Sequence, residues 1–231
     1  MLDLFPEGFE EVEADGDVEL AAYTRSGGEE RLWQAFGPGR AAPVANDWTE
    51  AWKRFHRPIC VGPLWVGPPW ETPERGSTPV VIDPGRAFGT GAHPTTRLCL
   101  ELLLTLEPGS LVDVGTGSGV IAIAAAKLGF APVSALDRDP VAVETAWANA
   151  RANDVALAVQ KGDVLTAPLP DADVAVANIT LETAEALASR VRSPLFVASG
   201  YLARAEPRPS GWKHVARREA GGWAADLFTR V

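Results

Sequence analysis

The chain has 231 residues, of which 46% are hydrophobic and 22% charged, an ordinary globular composition with room for one large domain and a small one. It lacks both an apolar run of about 18 residues and the basic start of a signal peptide, so we expect a cytoplasmic protein with no membrane contact. The formal net charge of -9 argues against a surface built for nucleic acid and favours a basic partner. Cys60 and Cys99 lack metal-site spacing, and we expect free thiols and no metal site.

Residues 1–45 differ in composition from the rest of the chain. They contain an acidic run from Glu7 to Glu13 and an apolar patch from Val18 to Tyr23. We expect two short strands and a helix from Glu29 to Phe36, which glycine and proline would end. A segment of this size cannot bury a core by itself, so it should pack on another surface.

Residues 46–78 are predicted to be a linker, and residues 79–231 the main domain. The linker should begin with an amphipathic helix, because three aromatic residues recur at helical spacing: Trp48, Trp52 and Phe55. Short strands are predicted at 59–61 and 64–66, and the main domain should begin with a strand at 79–82.

A polar, glycine-rich stretch at 83–96 precedes a helix predicted over residues 95–106. Such a stretch is rarely only a linker, because it offers an aromatic ring, hydroxyl groups and backbone amides near a helix start. An N-cap at Thr95 or Thr96 would explain a single residue of it. Four others are left without a structural reason: Phe88, Thr90, Gly91 and His93.

The sequence from Leu111 reads as a short apolar strand, a glycine loop, and a helix from Val120 to Gly129. Amides at the start of such a helix face a bound ligand. The dinucleotide fingerprint requires glycine at the position of Val120, which counts against a dehydrogenase. The pattern resembles instead the first motif of class I S-adenosylmethionine-dependent methyltransferases, and that resemblance implies cofactor contacts from Asp113, Gly115, Gly117 and Gly119.

A second strand, Val133 to Leu136, is followed by Asp137, where a carboxylate can accept hydrogen bonds from the two hydroxyls of a ribose. Asp139 precedes Pro140 and is more simply explained as the N-cap of a helix over residues 141–153. We therefore choose Asp137 as the ribose ligand.

The alternation of strands and helices continues to the end of the chain. Further strands are predicted at 156–159, 173–180 and 195–200, a helix at 181–191, and a hairpin at 212–218 and 223–231. Five parallel strands and a hairpin indicate an α/β fold with the seven-stranded, doubly wound, Rossmann-like sheet of methyltransferases. Asp163 follows the third strand, where such enzymes commonly meet the adenine amino group, although a simple turn residue would serve there as well.

The run Asp-Pro-Gly-x-Ala-Phe-Gly-Thr-Gly-x-His-x-Thr-Thr at 83–96, with the Asp-Trp pair before it and the glycine motif after it, resembles a family signature. The chain is identified over roughly residues 46–231 as a member of the ribosomal protein methyltransferase family that modifies the eleventh protein of the large subunit. The resemblance implies S-adenosylmethionine as cofactor. The resemblance also implies that the signature segment closes over this cofactor, with five residues in the site: Phe88, Thr90, Gly91, His93 and Thr95.

The resemblance also implies the chemistry. Asn178, at the end of the fourth strand and also beside the cofactor, would accept a hydrogen bond from the substrate amine, and the backbone carbonyl of Ile179 would share that role. Family members methylate lysine side chains and an α-amino group of a ribosomal protein, and the reaction needs no metal. His93 would orient the ligand or relay a proton. We expect a large-subunit ribosomal protein as substrate, no direct nucleic acid contact, and a monomer.

One departure lies at the N-terminus. The family carries a complete ferredoxin-like βαββαβ domain there, which recognises the substrate, and about 45 residues cannot hold all of it. Either the first strand and helix of that domain are absent, or the assigned translation start is late. We therefore expect a small, apparently truncated α+β segment for substrate recognition. Three other functions stay open: a methyltransferase of this fold acting on another protein lysine or a small molecule, a non-catalytic cofactor-binding protein, and a dehydrogenase. A pure binder would not need the acceptor at Asn178.

Overall fold

The computed structural model describes residues 10–14, 17–21, 37, 57–83 and 91–231. The chain divides into two compact units, Met1–Glu50 and Ala51–Val231. In the first unit, β1 (Glu10–Ala14) and β2 (Asp17–Ala21) pair as an antiparallel hairpin. The helices predicted at 29–36 and around Trp48 lie outside the described residues. The predicted boundaries at residues 45 and 78 stay predictions.

The second unit begins with a small three-stranded sheet. Its strands are β3 (Ile59–Val61), β4 (Leu64–Gly67) and β5 (Thr78–Val81), with β3 antiparallel and β5 parallel to the central β4. The Trp65 side chain is fully buried, and its ring fills the space that a side chain at position 67 would need. This sheet packs on the same core as the helices Pro94–Leu103 and Val120–Lys127.

The main sheet has seven strands in the order β11-β12-β10-β9-β6-β7-β8. The strands are β6 (Leu111–Val114), β7 (Val133–Asp137), β8 (Ala158–Lys161), β9 (Val174–Asn178), β10 (Leu195–Leu202), β11 (Trp212–Ala220) and β12 (Trp223–Arg230). Strands β6 to β10 run parallel, and β12 is antiparallel to both of its neighbours, β10 and β11. The predicted doubly wound methyltransferase sheet is thus confirmed. The prediction for β8 was two residues early, because pairing with β7 sets its bounds, with Lys161 opposite Asp137.

In the part of the chain that the structure describes, four helices cover the two faces of this sheet. They are α1 (Pro94–Leu103), α2 (Val120–Lys127), α3 (Pro140–Ala152) and α4 (Leu181–Ala188). The core of one face draws on α1, α2, α3 and the small sheet, and α4 contributes to the core of the other face. Within the described ranges, none of the helices has the length and apolar character that a membrane span requires. The carboxyl ends of β6, β7 and β9 therefore meet at one edge of the sheet, between two layers of helices.

Candidate active site

The loop after β6 is held in a shape that only glycine adopts easily. Gly115, Gly117 and Gly119 have φ values of 81°, 55° and 84°. The amides of Gly115 and Thr116 both donate to the carbonyl of Leu136 in β7, at 2.8 and 3.0 Å. Gly119 is the N-cap of α2 and offers no side chain to the helix amides. The amide of Gly119 itself donates to the carbonyl of Thr116 at 2.9 Å, and the amides that follow it in α2 receive no cap from this residue.

Asp113 lies beneath this loop and is 1% exposed. The hydroxyl of Thr116 donates to its Oδ2 at 2.7 Å, whereas its buried Oδ1 has no hydrogen-bond partner in the described part of the chain. Burial raises the pKa of Asp113 to about 6, and the Thr116 hydroxyl and the backbone amide of Ala122, which also lies against this carboxylate, oppose that rise. A buried acceptor without a donor is costly, so this site favours a ligand that brings a donor group or a positive charge.

Asp137, at the end of β7, is partly exposed and faces the same loop. Its Oδ2 accepts from the amide of Gly117 at 2.9 Å, and its Oδ1 accepts from the amide of Asp139 at 3.0 Å. A carboxylate can accept about four hydrogen bonds, so both oxygens keep capacity for ribose hydroxyls. Asp139 caps α3 by accepting from the amide of Val141 at 2.9 Å, which confirms the structural reading of that residue.

Asn178 ends β9, the strand beside β6, and is partly buried. Its Nδ2 donates to the hydroxyl of Thr96 at 3.4 Å, and Thr96 is 1% exposed. An amide whose nitrogen is engaged in this way presents its oxygen as an acceptor. The next amide, that of Ile179, donates to the carbonyl of Ser199 in β10 at 2.9 Å.

Ile179 is enclosed by two glycines with left-handed backbone. A Cβ atom at Gly200, where φ is 100°, would lie 2.0 Å from the carbonyl oxygen of Ile179. A Cβ atom at Gly115 would lie 2.6 Å from Cγ2 of the Ile179 side chain. Ile179 therefore packs against the glycine loop on one side and against β10 on the other, and the position of its carbonyl depends on the absence of a side chain at 200.

His93 is the N-cap of α1, which corrects the expectation of a cap at Thr95 or Thr96. Pro94 is suited to the first turn of a helix, so the residue before it takes the capping position. The Nδ1 atom of His93 accepts from the amide of Thr95 at 3.3 Å and lies 2.8 Å from its hydroxyl. Burial lowers the pKa of His93, and its ring meets the edge of Trp223 with 4.7 Å between centroids. A neutral imidazole thus orients the Thr95 hydroxyl.

Of the four remaining predicted site residues, the structure describes two, Gly91 and Asp163. Gly91, with φ of 89°, is buried against Val66, where a Cβ atom would lie 2.6 Å from that side chain. Asp163 follows Gly162, whose amide donates to the carbonyl of Asp137 at 2.8 Å. The Oδ1 atom of Asp163 accepts a hydrogen bond from the amide of Leu165, so Asp163 does form a turn. This turn lies beside the position proposed for the ribose. Phe88 and Thr90 lie outside the described residues.

Sequence reasoning gave no role in the site to three residues that contact it: Thr96, which was considered only as a helix cap, Asn149 and Gly200. Asn149 and Asn153 stand four apart in a helix that is otherwise rich in alanine, which is the signal that could have drawn attention to them. Gly200 interrupts an apolar strand, a position that often marks a close backbone approach. Across the described ranges, no group of three or more His, Cys, Asp or Glu side chains is arranged to hold a metal ion.

A sequence profile described as Ribosomal protein L11 methyltransferase (PrmA) matches residues 40–225. The chain belongs to this family. The predicted family and class of enzyme, a methyltransferase, are thereby confirmed.

Two curated relatives and one solved structure illustrate the match. A ribosomal protein L11 methyltransferase of Symbiobacterium thermophilum is 40% identical over 92% of this chain and 77% of that protein. One of Lacticaseibacillus paracasei is also 40% identical, over 78% of this chain and 62% of that protein. The crystal structure of the ribosomal protein L11 methylase of Lactobacillus delbrueckii subsp. bulgaricus has a TM-score of 0.67 at 29% identity, covering 76% of this chain and 99% of that one. The chain thus spans less than two thirds of the length of the second curated relative.

Proposed function

We propose that this member of the family transfers methyl groups from S-adenosylmethionine to amines of ribosomal protein L11, either lysine side chains or the α-amino group. One observation carries the proposal: three adjacent strands end at the same edge in a glycine loop, a carboxylate and an amide acceptor. These groups match the needs of a nucleoside sulfonium and of a nucleophilic amine. We further propose that the protein acts in the cytoplasm as a monomer, without a membrane or direct nucleic acid contact.

The residues of the loop fit the cofactor. Asp137 has lone pairs left for the ribose, and the buried Oδ1 of Asp113 suits the ammonium group of the methionine part, directly or through water. When bound, the cofactor supplies a methyl group that its positive sulfur already activates. The protein therefore needs only to bind, orient and exclude competing groups, as the loop and Asp137 would do.

The amine acceptor would be held by Asn178 and Ile179. The oxygen of the Asn178 side chain accepts one N–H of the amine, and the carbonyl of Ile179 accepts a second, so the lone pair is directed at the methyl group. A free lysine has a pKa of about 10.4, so it must lose a proton before it attacks. Asn178 is partly exposed, and water at this edge can take that proton.

Charge supports a basic protein as substrate. The unit Met1–Glu50 contains three Lys and Arg against twelve Asp and Glu, whereas Ala51–Val231 contains eighteen of each. The whole net charge of -9 therefore belongs to the first unit, and strands β1 and β2 carry five of its carboxylates. Complementary charge steers association and fixes partner choice, so we assign substrate recognition to residues 1–45.

The test is methylation with labelled cofactor. The full chain is incubated with methyl-labelled S-adenosylmethionine and purified L11, and in parallel with ribosome-free lysate and metabolite extract, and the label is located by mass spectrometry. Label on L11 amines is the expected result. Label on another protein or on a small molecule would instead identify a methyltransferase that acts on that substrate. Cofactor binding without any methyl transfer would support a non-catalytic binding protein.

The proposal that residues 1–45 recognise the substrate is tested with two matched triple variants. Replacing Glu10, Glu11 and Glu13 by glutamine should raise the KM for L11 several-fold, more at low salt, and leave the cofactor Kd unchanged. The control replaces three exposed carboxylates of the second unit: Glu107, Glu144 and Asp171. An equal effect of both triple variants would show that only total charge matters.

A further inference from the structure

We infer that Asn149 of α3 is a positioning residue that sets the glycine loop for cofactor binding. The inference rests on the proposed use of S-adenosylmethionine. Asn149 is 2% exposed and touches neither Asp137 nor Asn178 through any hydrogen bond of the described residues. It acts through the backbone of the loop.

The amide of Asn149 joins two distant segments of the chain. Its Nδ2 donates to the carbonyl of Ser118 in the glycine loop at 2.9 Å. Its Oδ1 accepts from the amide of Asp83 at 3.0 Å, and Nδ2 also lies 3.4 Å from the Asp83 carbonyl. Asp83 is the first residue of the signature stretch, so one buried side chain links the entry of that stretch to the loop.

A second contact fastens the loop to the same helix. A Cβ atom at Gly119 would lie 3.1 Å from both Cα and Cβ of Ala146, one turn before Asn149 on α3. On its other side the loop is held by the bond from Gly117 to Asp137. Because the peptide between Ser118 and Gly119 is planar, fixing the Ser118 carbonyl also fixes the Gly119 amide, which donates to the Thr116 carbonyl at 2.9 Å. Asn149 thus sets the shape of the turn with which the glycine loop enters α2.

Only an amide side chain can make all the hydrogen bonds found at position 149. The position needs one acceptor and two donors in a single plane, which asparagine supplies and aspartate does not. An aspartate would keep the bond from Asp83 but would set a carboxylate oxygen against the carbonyl of Ser118. Burying a side-chain amide in a helix lowers the stability of the fold unless all its hydrogen-bond partners are present. The hydrogen bonds of Asn149 must therefore contribute something that an alanine there would not.

Asn153, the C-cap of α3 one turn later, provides the control. It is 4% exposed, and its Oδ1 accepts from the amide of Val81 at 2.9 Å. Its Nδ2 donates to the Val81 carbonyl at 2.6 Å and to the backbone carbonyl of Asn149 at 2.8 Å. It ties β5 to α3, as Asn149 ties Asp83, but it makes no bond to the glycine loop. If Asn149 served only to attach the small sheet, the two residues would be equivalent.

The experiment compares Asn149→Ala, Asn149→Asp and Asn153→Ala in the full chain. Titration calorimetry measures the Kd for S-adenosylhomocysteine, and thermal unfolding without ligand measures stability. We expect the two alanine variants to lose similar stability, the Asn149 variants to raise the Kd about tenfold or more, and Asn153→Ala to keep it within about twofold. Equal shifts at both positions, or none at 149, would overturn the inference.

A ligand-free measurement separates this inference from the proposed function. Hydrogen exchange of the free protein should speed up at Asp83, Gly117 and Gly119 in Asn149→Ala, and only near Val81 in Asn153→Ala. If the wild-type chain fails to bind S-adenosylhomocysteine, the proposed function is wrong, and exchange then decides whether Asn149 orders the loop. Unchanged exchange at Gly117 and Gly119 in Asn149→Ala would overturn that role. If Asn149→Ala is too unstable to purify, Asn149→Asp, which keeps the bond from Asp83, is measured in its place.

Discussion

A hydrogen bond joins Asn178 and Thr96 at the edge of the sheet, with 3.4 Å between the side-chain nitrogen of Asn178 and the hydroxyl oxygen of Thr96. Asn178 ends a central strand, and Thr96 lies in the first turn of α1. The bond engages the nitrogen of the amide and leaves its oxygen to accept. A nucleophilic amine needs such an acceptor, because a donor at that place would compete for its lone pair.

Asn178→Ala should therefore act on the chemical step. We expect the rate of methyl transfer to fall about 100-fold or more while the cofactor Kd changes less than about threefold, as when one well-placed polar group is removed. Single-turnover kinetics and calorimetry measure the two quantities. Thr96→Val should lower the rate about tenfold by freeing the amide, and Thr96→Ser should restore it. Near wild-type turnover in Asn178→Ala would reduce that residue to a strand cap.

Gly200→Ala should displace the carbonyl of Ile179. Its new Cβ atom would meet that oxygen at 2.0 Å, whereas Gly211, at a similar φ of 82°, has nothing within 4 Å. Both substitutions place alanine in left-handed backbone, which should cost about 1 to 2 kcal/mol of stability, and the clash with Ile179 adds to that cost at position 200. Only Gly200→Ala should also lower methyl transfer, by about tenfold or more, in single-turnover assays. Equal activity of the two variants would separate the Ile179 carbonyl from catalysis.

Asp137→Ala should weaken cofactor binding by about 1.5 to 3 kcal/mol, the size of charge-assisted hydrogen bonds. The loss has two parts, because the carboxylate would bind the ribose and also holds the amide of Gly117. Asp139→Ala is the control. It removes the N-cap of α3, which should cost about 1 kcal/mol of stability and leave the affinity unchanged in calorimetry. Unchanged affinity in folded Asp137→Ala would place the ribose elsewhere.

Asp113→Asn should stabilise the free protein in a pH-dependent way. The pKa of Asp113 is raised to about 6 in the fold, against about 3.9 in an unfolded chain. Its protonated form therefore stabilises the fold fully below about pH 4, and this contribution is lost as the pH rises through 6. A neutral amide avoids the buried charge, so the gain should reach roughly 2 to 3 kcal/mol at pH 8 and vanish near pH 4.

Urea unfolding at pH 4, 6 and 8 measures this difference. Asp173→Asn is a contrast, because hydrogen bonds from Ser110 lower the pKa of Asp173, and its carboxylate stabilises the fold above that pKa. That variant should lose stability at pH 8 rather than gain it. Destabilisation of Asp113→Asn to the same extent at every pH would mean that the bond from Thr116 outweighs the burial of the charge.

Patterns between near neighbours were sufficient to predict the architecture from the sequence. Alternating apolar strands, glycine breaks and helical periodicity located the strands and helices of the main sheet, because each depends on a few adjacent residues. The signature at 83–96 and the glycine motif indicated the family, and the rule that parallel strands end at one edge brought Asp113, Asp137 and Asn178 together.

The tertiary structure decided the features that depend on partners distant in the chain. His93 rather than Thr95 caps α1 because the helix starts at Pro94, and β8 is shifted because it must pair with β7. The bonds from Asn178 to Thr96 and from Asn149 to Ser118 join residues that are 82 and 31 positions apart in the chain. A hydrogen bond between distant elements requires packing to place both groups within about 3 Å, and local propensity contains no information on that placement.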